Sequence, residues 1–227
     1  VGLIVEVSNL SFTYEDGTQA LRGIDFTLDE GHTVTLMGPN GSGKTTFIQH
    51  LNGTLNGTGS VNVDGLPVRE PNLREIRKRV GVVFQESDNQ LFMPTVLEDV
   101  AFGPVAAGKS DAQAEEKARA ALERAGIPHL ADKAPWHLSA GEKKRAAIAG
   151  ILACEPRLLV LDEPTTSLDP PGRRSLGDLL LSLPQAKIIV THDHRFARRL
   201  TEDAVFFDRG TIAARGSIDE IVGRFGW

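Results

Sequence analysis

The chain has 227 residues, 41% of them hydrophobic and 24% charged, the balance of a globular protein with room for a large core. A formal net charge of −5 gives no general attraction to nucleic acid, and no apolar run reaches the roughly 18 residues that predict a membrane span. No basic-then-apolar leader is read at the N-terminus, and the single cysteine, Cys154, excludes an intrachain disulfide and reads as a small core hydrophobe in a reducing compartment.

In chain order, "LIVEVSNLSFTY" at 3–14 predicts a strand ending on Tyr14, and "HTVTLMG" at 32–38 a second. The second runs into Gly38, Pro39, Asn40, Gly41, Ser42, Gly43, Lys44, Thr45 and Thr46, which match the phosphate-binding spacing G-x-x-x-x-G-K-[ST]. Glycines let backbone N–H groups approach phosphate oxygens, a helix start adds partial positive charge, and Lys44 supplies a full one. Thr45 is the candidate for Mg²⁺. The helix that follows is expected to place Phe47, Ile48, Leu51 and Leu55 on one side. "VGVVFQ" at 80–85 predicts a strand ending at Gln85, and 87–155 shows no strand. Within that block a Ser110/Gln113 capping box opens an Ala-rich, charged surface helix that stops at Gly126, and Ser139 with Glu142 opens another. "LLVLDE" at 158–163 ends a strand on two acids: Asp162 can reach a magnesium shell, and Glu163, on the other strand face, can polarise water for attack on a γ-phosphate. "KIIVTH" at 187–192 is a strand, and "VFFDRGTIAARG" at 205–216 a hairpin turning at Asp208 to Gly210. Continuously apolar strands suit the centre of a sheet covered on both faces, so the fold class is α/β. The chain reads as one domain, with 1–86 and 156–227 as the nucleotide-binding core and 87–155 as an inserted helical subdomain.

"LSAGEKKRAAIAG" at 138–150 resembles the signature L-S-G-G-Q of ATP-binding-cassette ATPases, about 20 residues before the Asp162/Glu163 strand. Tyr14, Gln85, "SLDP" at 167–170 and "THD" with His192 extend the resemblance to essentially the whole chain. It implies a P-loop NTPase core with an N-terminal antiparallel β subdomain, ATP and Mg²⁺ as ligands, and two ATPase subunits facing head to tail, the second being the same chain or a paralogue. Ser139, Ala140, Gly141 and Glu142 would then cap the nucleotide of the opposite subunit; the Ser139 hydroxyl would accept from its own helix and donate to a γ-phosphate oxygen. Tyr14 would stack on adenine, Gln85 would reach Mg²⁺ or the attacking water, His192 would bond the γ-phosphate, and Asp169 would contact the opposite subunit. Glu163, His192, Gln85 and Lys44 form the implied catalytic set. Ala140 in place of the first signature glycine and Glu142 in place of glutamine depart from the pattern.

"VFQESDNQLFMPTVLEDVAFGP" at 83–104 resembles the corresponding stretch in ATPases of energy-coupling-factor importers, through Asp88-Asn89-Gln90-Leu91-Phe92 and Ala101-Phe102-Gly103-Pro104. This implies a transmembrane coupling protein seated on residues 86–104, with exposed Leu91, Phe92 and Met93 as its contact. It also implies a separate substrate-binding membrane subunit, a peripheral place on the cytoplasmic membrane face, and a micronutrient cargo such as cobalt, nickel or biotin. An exporter ATPase shares every catalytic motif, and a soluble cassette acting on nucleic acid is disfavoured by the acidic balance.

Overall fold

The computed structural model describes residues 2–85 and 90–227. Among these, β1 (Leu3–Thr13), β2 (Gln19–Asp29), β3 (Thr33–Met37), α1 (Lys44–Leu51), β4 (Thr58–Val63), β5 (Leu66–Pro67), α2 (Leu73–Arg79) and β6 (Val80–Val83) come first. After them come α3 (Val96–Ala106), α4 (Asp111–Arg124), α5 (Ala140–Leu152), β7 (Leu158–Asp162), α6 (Pro170–Ser182) and β8 (Ala186–Val190). The chain closes with α7 (His194–Leu200), β9 (Asp203–Asp208), β10 (Thr211–Ser217) and α8 (Ile218–Phe225).

The strands form two sheets. One is antiparallel, ordered β2-β1-β4-β5; the other is ordered β10-β9-β3-β8-β7-β6, parallel from β9 to β6 with β10 antiparallel at its edge. The strands β6, β7 and β8 are buried at every position, as their continuously apolar sequences require. Successive side chains of a strand point to opposite faces, so β7 feeds two cores. Leu158 and Val160 join Phe47, Ile48 and Leu51 of α1 and the inner face of the antiparallel sheet; Leu159 and Leu161 join α3, α4, α5 and α6. Phe47 is fully buried between Phe26 at 5.1 Å and Phe207 at 5.4 Å, a burial that contributes about 1.5–3 kcal/mol.

The helical block between β6 and β7 contains no strand among its described residues. In α4 the alanines supply the buried stripe, Ala114, Ala118 and Ala121 with Leu122, while Glu115 and Arg119 pair on the outer face. Gly126 at φ 72° ends that helix.

Three expectations change. Helix α1 stops at Leu51 because Gly53 takes φ 69°, so Leu55 lies beyond the helix and only half-buried. Strand β7 stops at Asp162, so Glu163 does not alternate with it across a strand. Of Leu91, Phe92 and Met93 only Phe92 is exposed, since Leu91 packs against the helical core and the Phe92 and Met93 N–H groups both donate to Asp99 Oδ2 at 2.8 Å. Asp88 and Asn89 lie outside the described residues.

Candidate functional site

The turn from β3 into α1 makes the floor of a cleft. Gly38 has φ 132° and a Cβ there would stand 2.1 Å from the Phe207 carbonyl oxygen; at Gly43, with φ 106°, it would stand 2.6 Å from that of Ala20. Both positions therefore require glycine. The hairpin between β9 and β10 clamps this loop, the Gly210 N–H donating to the Ser42 carbonyl at 3.0 Å while the Arg22 N–H donates to the Gly210 carbonyl at 2.8 Å. Gly43 caps α1 without a side-chain bond, which leaves the N–H groups of the first helical turn for an anion, and Gly43, Lys44, Thr45 and Thr46 all line the cleft.

Lys44 is 6% exposed and its Nζ donates to the carbonyls of Gly38 at 2.7 Å and Pro39 at 2.8 Å, with Ser42 Oγ at 3.4 Å. Burial pushes its pKa down, and the charges of Glu163 and Asp162 oppose that. Thr45 Oγ1 donates to Asp162 Oδ2 at 3.1 Å, which brings the start of α1 onto the end of β7. The Asp162 carboxyl is pushed up by burial, against its bond from Thr45 and the Lys44 charge. A hydroxyl and a carboxylate side by side at a triphosphate-sized cleft are hard oxygen donors of the kind Mg²⁺ takes, with phosphate and water completing its shell.

Glu163 sits at φ 46°, the left-handed region, with its N–H donating to the Val190 carbonyl at 2.8 Å. The left-handed turn turns its side chain toward His192. Glu163 Oε1 is buried without a hydrogen-bond partner, at 3.2 Å from His192 Nε2, and that nitrogen also lies 3.2 Å from Asn40 Oδ1. Burial raises the Glu163 pKa, opposed chiefly by His192. A carboxyl in a strained backbone position with an unsatisfied oxygen is well suited to accept a proton from water.

Tyr14 and Gln85 both line the wall. Tyr14 is 38% exposed, its hydroxyl 2.9 Å from Thr46 Oγ1 and its ring edge-on to Phe12 at 4.9 Å. Gln85 is exposed, and its backbone carbonyl accepts from Lys144 Nζ of α5 at 3.1 Å, a direct link from the helical block to the site. One cleft of about 1160 Å³ thus gathers Tyr14, Asn40, Gly41, Lys44, Gln85, Asp162, Glu163 and His192.

Ser139, Ala140, Gly141, Glu142 and Asp169 do not line it. Ser139 caps α5 in a reciprocal box with Glu142, whose Oε2 accepts from the Ser139 N–H at 2.8 Å and from its Oγ at 2.7 Å. The hydroxyl assigned from sequence to a phosphate is therefore donated here to Glu142, which also holds that carboxyl below its usual range. Asp169 caps α6 by accepting from the Gly172 N–H at 2.8 Å.

The model of the ABC transporter family matches residues 21–166. The chain belongs to the ABC transporter ATPases. Among its relatives, a Streptomyces coelicolor chain named as an ABC transporter ATP-binding protein is 53% identical over 213 residues, covering 93% of this chain and 82% of the relative. The energy-coupling factor transporter ATP-binding protein EcfA of Methanosphaera stadtmanae is 46% identical over 224 residues, covering 96% and 81%. Among solved structures, cbiO1 of Clostridium perfringens, part of the transporter complex cbiONQ, superposes with a TM-score of 0.89 at 36% identity over 99% of this chain and 92% of that one. ATP binding and ATPase activity, pairing of ATPase subunits and work with membrane subunits follow for this ABC ATPase from its family. No helix among the described residues is long and apolar enough to cross a membrane.

Sequence patterns missed the arginines of the cleft, Arg22, Arg173, Arg195 and Arg209, and Thr165. Arg209 was legible as part of a hairpin turn, where it takes φ 47°, but the bond from its neighbour Gly210 to Ser42 that brings the turn to the cleft joins residues far apart in sequence.

Proposed function

We propose that the chain is the ATP-hydrolysing subunit of an energy-coupling-factor type importer of a micronutrient, a transition-metal ion such as cobalt or nickel or a vitamin such as biotin. The likeness to cbiO1 along nearly the whole chain carries this reading, with EcfA relatives beside it. In this reading residues 1–86 and 156–227 are the core and 87–155 the helical lobe. The subunit lies peripherally on the cytoplasmic membrane face, where its exposed Phe92 and Phe102, 5.0 Å apart, sit in the segment 86–104 offered to a coupling protein.

In the hydrolytic site, the loop N–H groups and Lys44 hold the phosphates, and Tyr14 lies beside the adenine. Thr45, Asp162 and Gln85 would hold Mg²⁺, which when bound would neutralise charge on the phosphates. Glu163 takes a proton from the water that attacks the γ-phosphate, and His192 and Asn40, already joined, keep that carboxylate and the γ-phosphate in register. Ser139 and Ala140, exposed and away from their own cleft, with half-buried Gly141 and Glu142, cap the nucleotide of a second subunit, itself this chain or a paralogue, and Asp169 faces that subunit.

Isolation of the tagged chain from its native membranes in mild detergent tests the importer assignment. A multi-span coupling protein together with a small substrate-binding membrane subunit is the expected company. Recovery with a fused exporter half or with no membrane protein contradicts it.

A further inference from the structure

His192 has a third neighbour that the hydrolytic reading leaves without a role. The indole of Trp227 lies against its imidazole, ring centroids 5.4 Å apart and planes 29° from parallel. The indole is itself fixed from behind: it meets Phe206 of β9 edge-on at 5.6 Å, and Phe206 stacks on Phe225 of α8 at 3.9 Å and 9°. The Trp227 backbone N–H donates to the Val222 carbonyl at 3.2 Å across Gly226, which takes φ 66°. Beneath this, Ile218 and Ile221 seat α8 on Met37 of β3 and Ala197 of α7. One face of the His192 ring is therefore covered by an aromatic plate anchored in a separate small core, while its edge carries Nε2 toward Asn40 and Glu163.

We infer that Trp227 is a positioning residue for hydrolysis: it fixes the plane of His192, and through it the aim of Nε2 at the reacting centre. The imidazole just beyond β8 is 42% exposed on its side chain and is held at its edge alone by Asn40 and Glu163, so a flat neighbour against its face adds a barrier to rotation about the ring torsion. An offset aromatic stack supplies such a barrier, and among the described residues Trp227 does not line the cleft itself but meets His192, which does. The inference rests on His192 belonging to the hydrolytic site, and the test separates the two.

Steady-state ATPase kinetics of Trp227→Ala should show kcat lower by about three- to tenfold with KM for ATP within about twofold, and Trp227→Phe should recover most of the loss. Full kcat in Trp227→Ala overturns the inference, as does a loss that Trp227→Phe fails to rescue or one that appears in KM instead. His192→Ala made in parallel should lose more than either; full turnover there sinks the hydrolytic reading of His192 rather than the stack. Contact itself is read independently of activity in a Trp136→Phe background, where Trp227 is the sole tryptophan. His192→Ala should then change the Trp227 emission, and an identical spectrum with and without the imidazole contradicts the contact even if the alanine variant of Trp227 folds poorly.

Discussion

Glu163 combines three features: a left-handed backbone, a buried oxygen without a hydrogen-bond partner, and a pKa pushed up by burial. Each is costly for the folded state, and a base for water gains from all three. Glu163→Gln should keep nucleotide binding, because Lys44 and the loop are untouched, while kcat falls by about 10²–10⁴-fold. Phosphate release at the wild-type rate would remove Glu163 from the chemistry. His50 shows the structural counterpart of such a cost. It is 2% exposed, its Nδ1–H donates to the Thr46 carbonyl at 2.8 Å, and its Nε2 is buried without a partner. Burial therefore lowers its pKa below 6.5. The unfolded chain takes up a proton that the folded one resists, so stability present above about pH 6.5 is lost as pH falls through the lowered folded value. Melting temperatures at about pH 7.5 and about pH 5.5 should differ less in His50→Leu than in the wild type; an equal acid slope would show that His50 is not the group responsible.

Helix α5 is capped by Ser139, the residue also proposed to reach a partner's nucleotide, so stability and function can be tested at one atom. Ser139→Ala removes the cap and should cost about 1 kcal/mol, or about 2–4 °C in melting temperature, together with ATP turnover. Ser139→Asn keeps a side-chain oxygen at the N-cap and should restore the melting temperature but not the turnover. Recovery of both would make Ser139 a cap and nothing more. This helix, like α4, was legible because its capping box is local: Ser139 and Glu142 are three residues apart. The strands β6, β7 and β8 were legible for a similar reason, since burial on both faces leaves only apolar residues to read. Strand β2 was not. Its buried residues run Leu21, Ile24, Phe26 and Leu28, and the phase break between the first two falls at Gly23, φ 62°, where the register with β1 shifts. Strand β4 is exposed or half-buried at every position but Val63, so it offers no apolar pattern. In the cleft, the phosphate loop and the Asp162/Glu163 pair are contiguous runs that a spacing rule can find. The Thr45 to Asp162 bond, the Lys144 to Gln85 bond and the Arg209 turn exist only once distant segments meet.

At the scale of the molecule, the decisive feature is what a single subunit lacks. The cleft holds binding and hydrolytic groups from the loop, β7, β8 and the antiparallel sheet, yet the helix start at Ser139 is exposed elsewhere on the surface. In the proposed head-to-tail pair, each helix start would lie over the other subunit's triphosphate, whose charge the two N-termini would share. On that proposal the nucleotide would join the protomers, and loss of its γ-phosphate would release them. Sedimentation of the Glu163→Gln protein measures this most directly. With saturating Mg·ATP the account predicts a species of twice the 24.5 kDa chain mass, reverting to the single mass with Mg·ADP. A single-mass species under both conditions, with ATP shown to be bound, would contradict it.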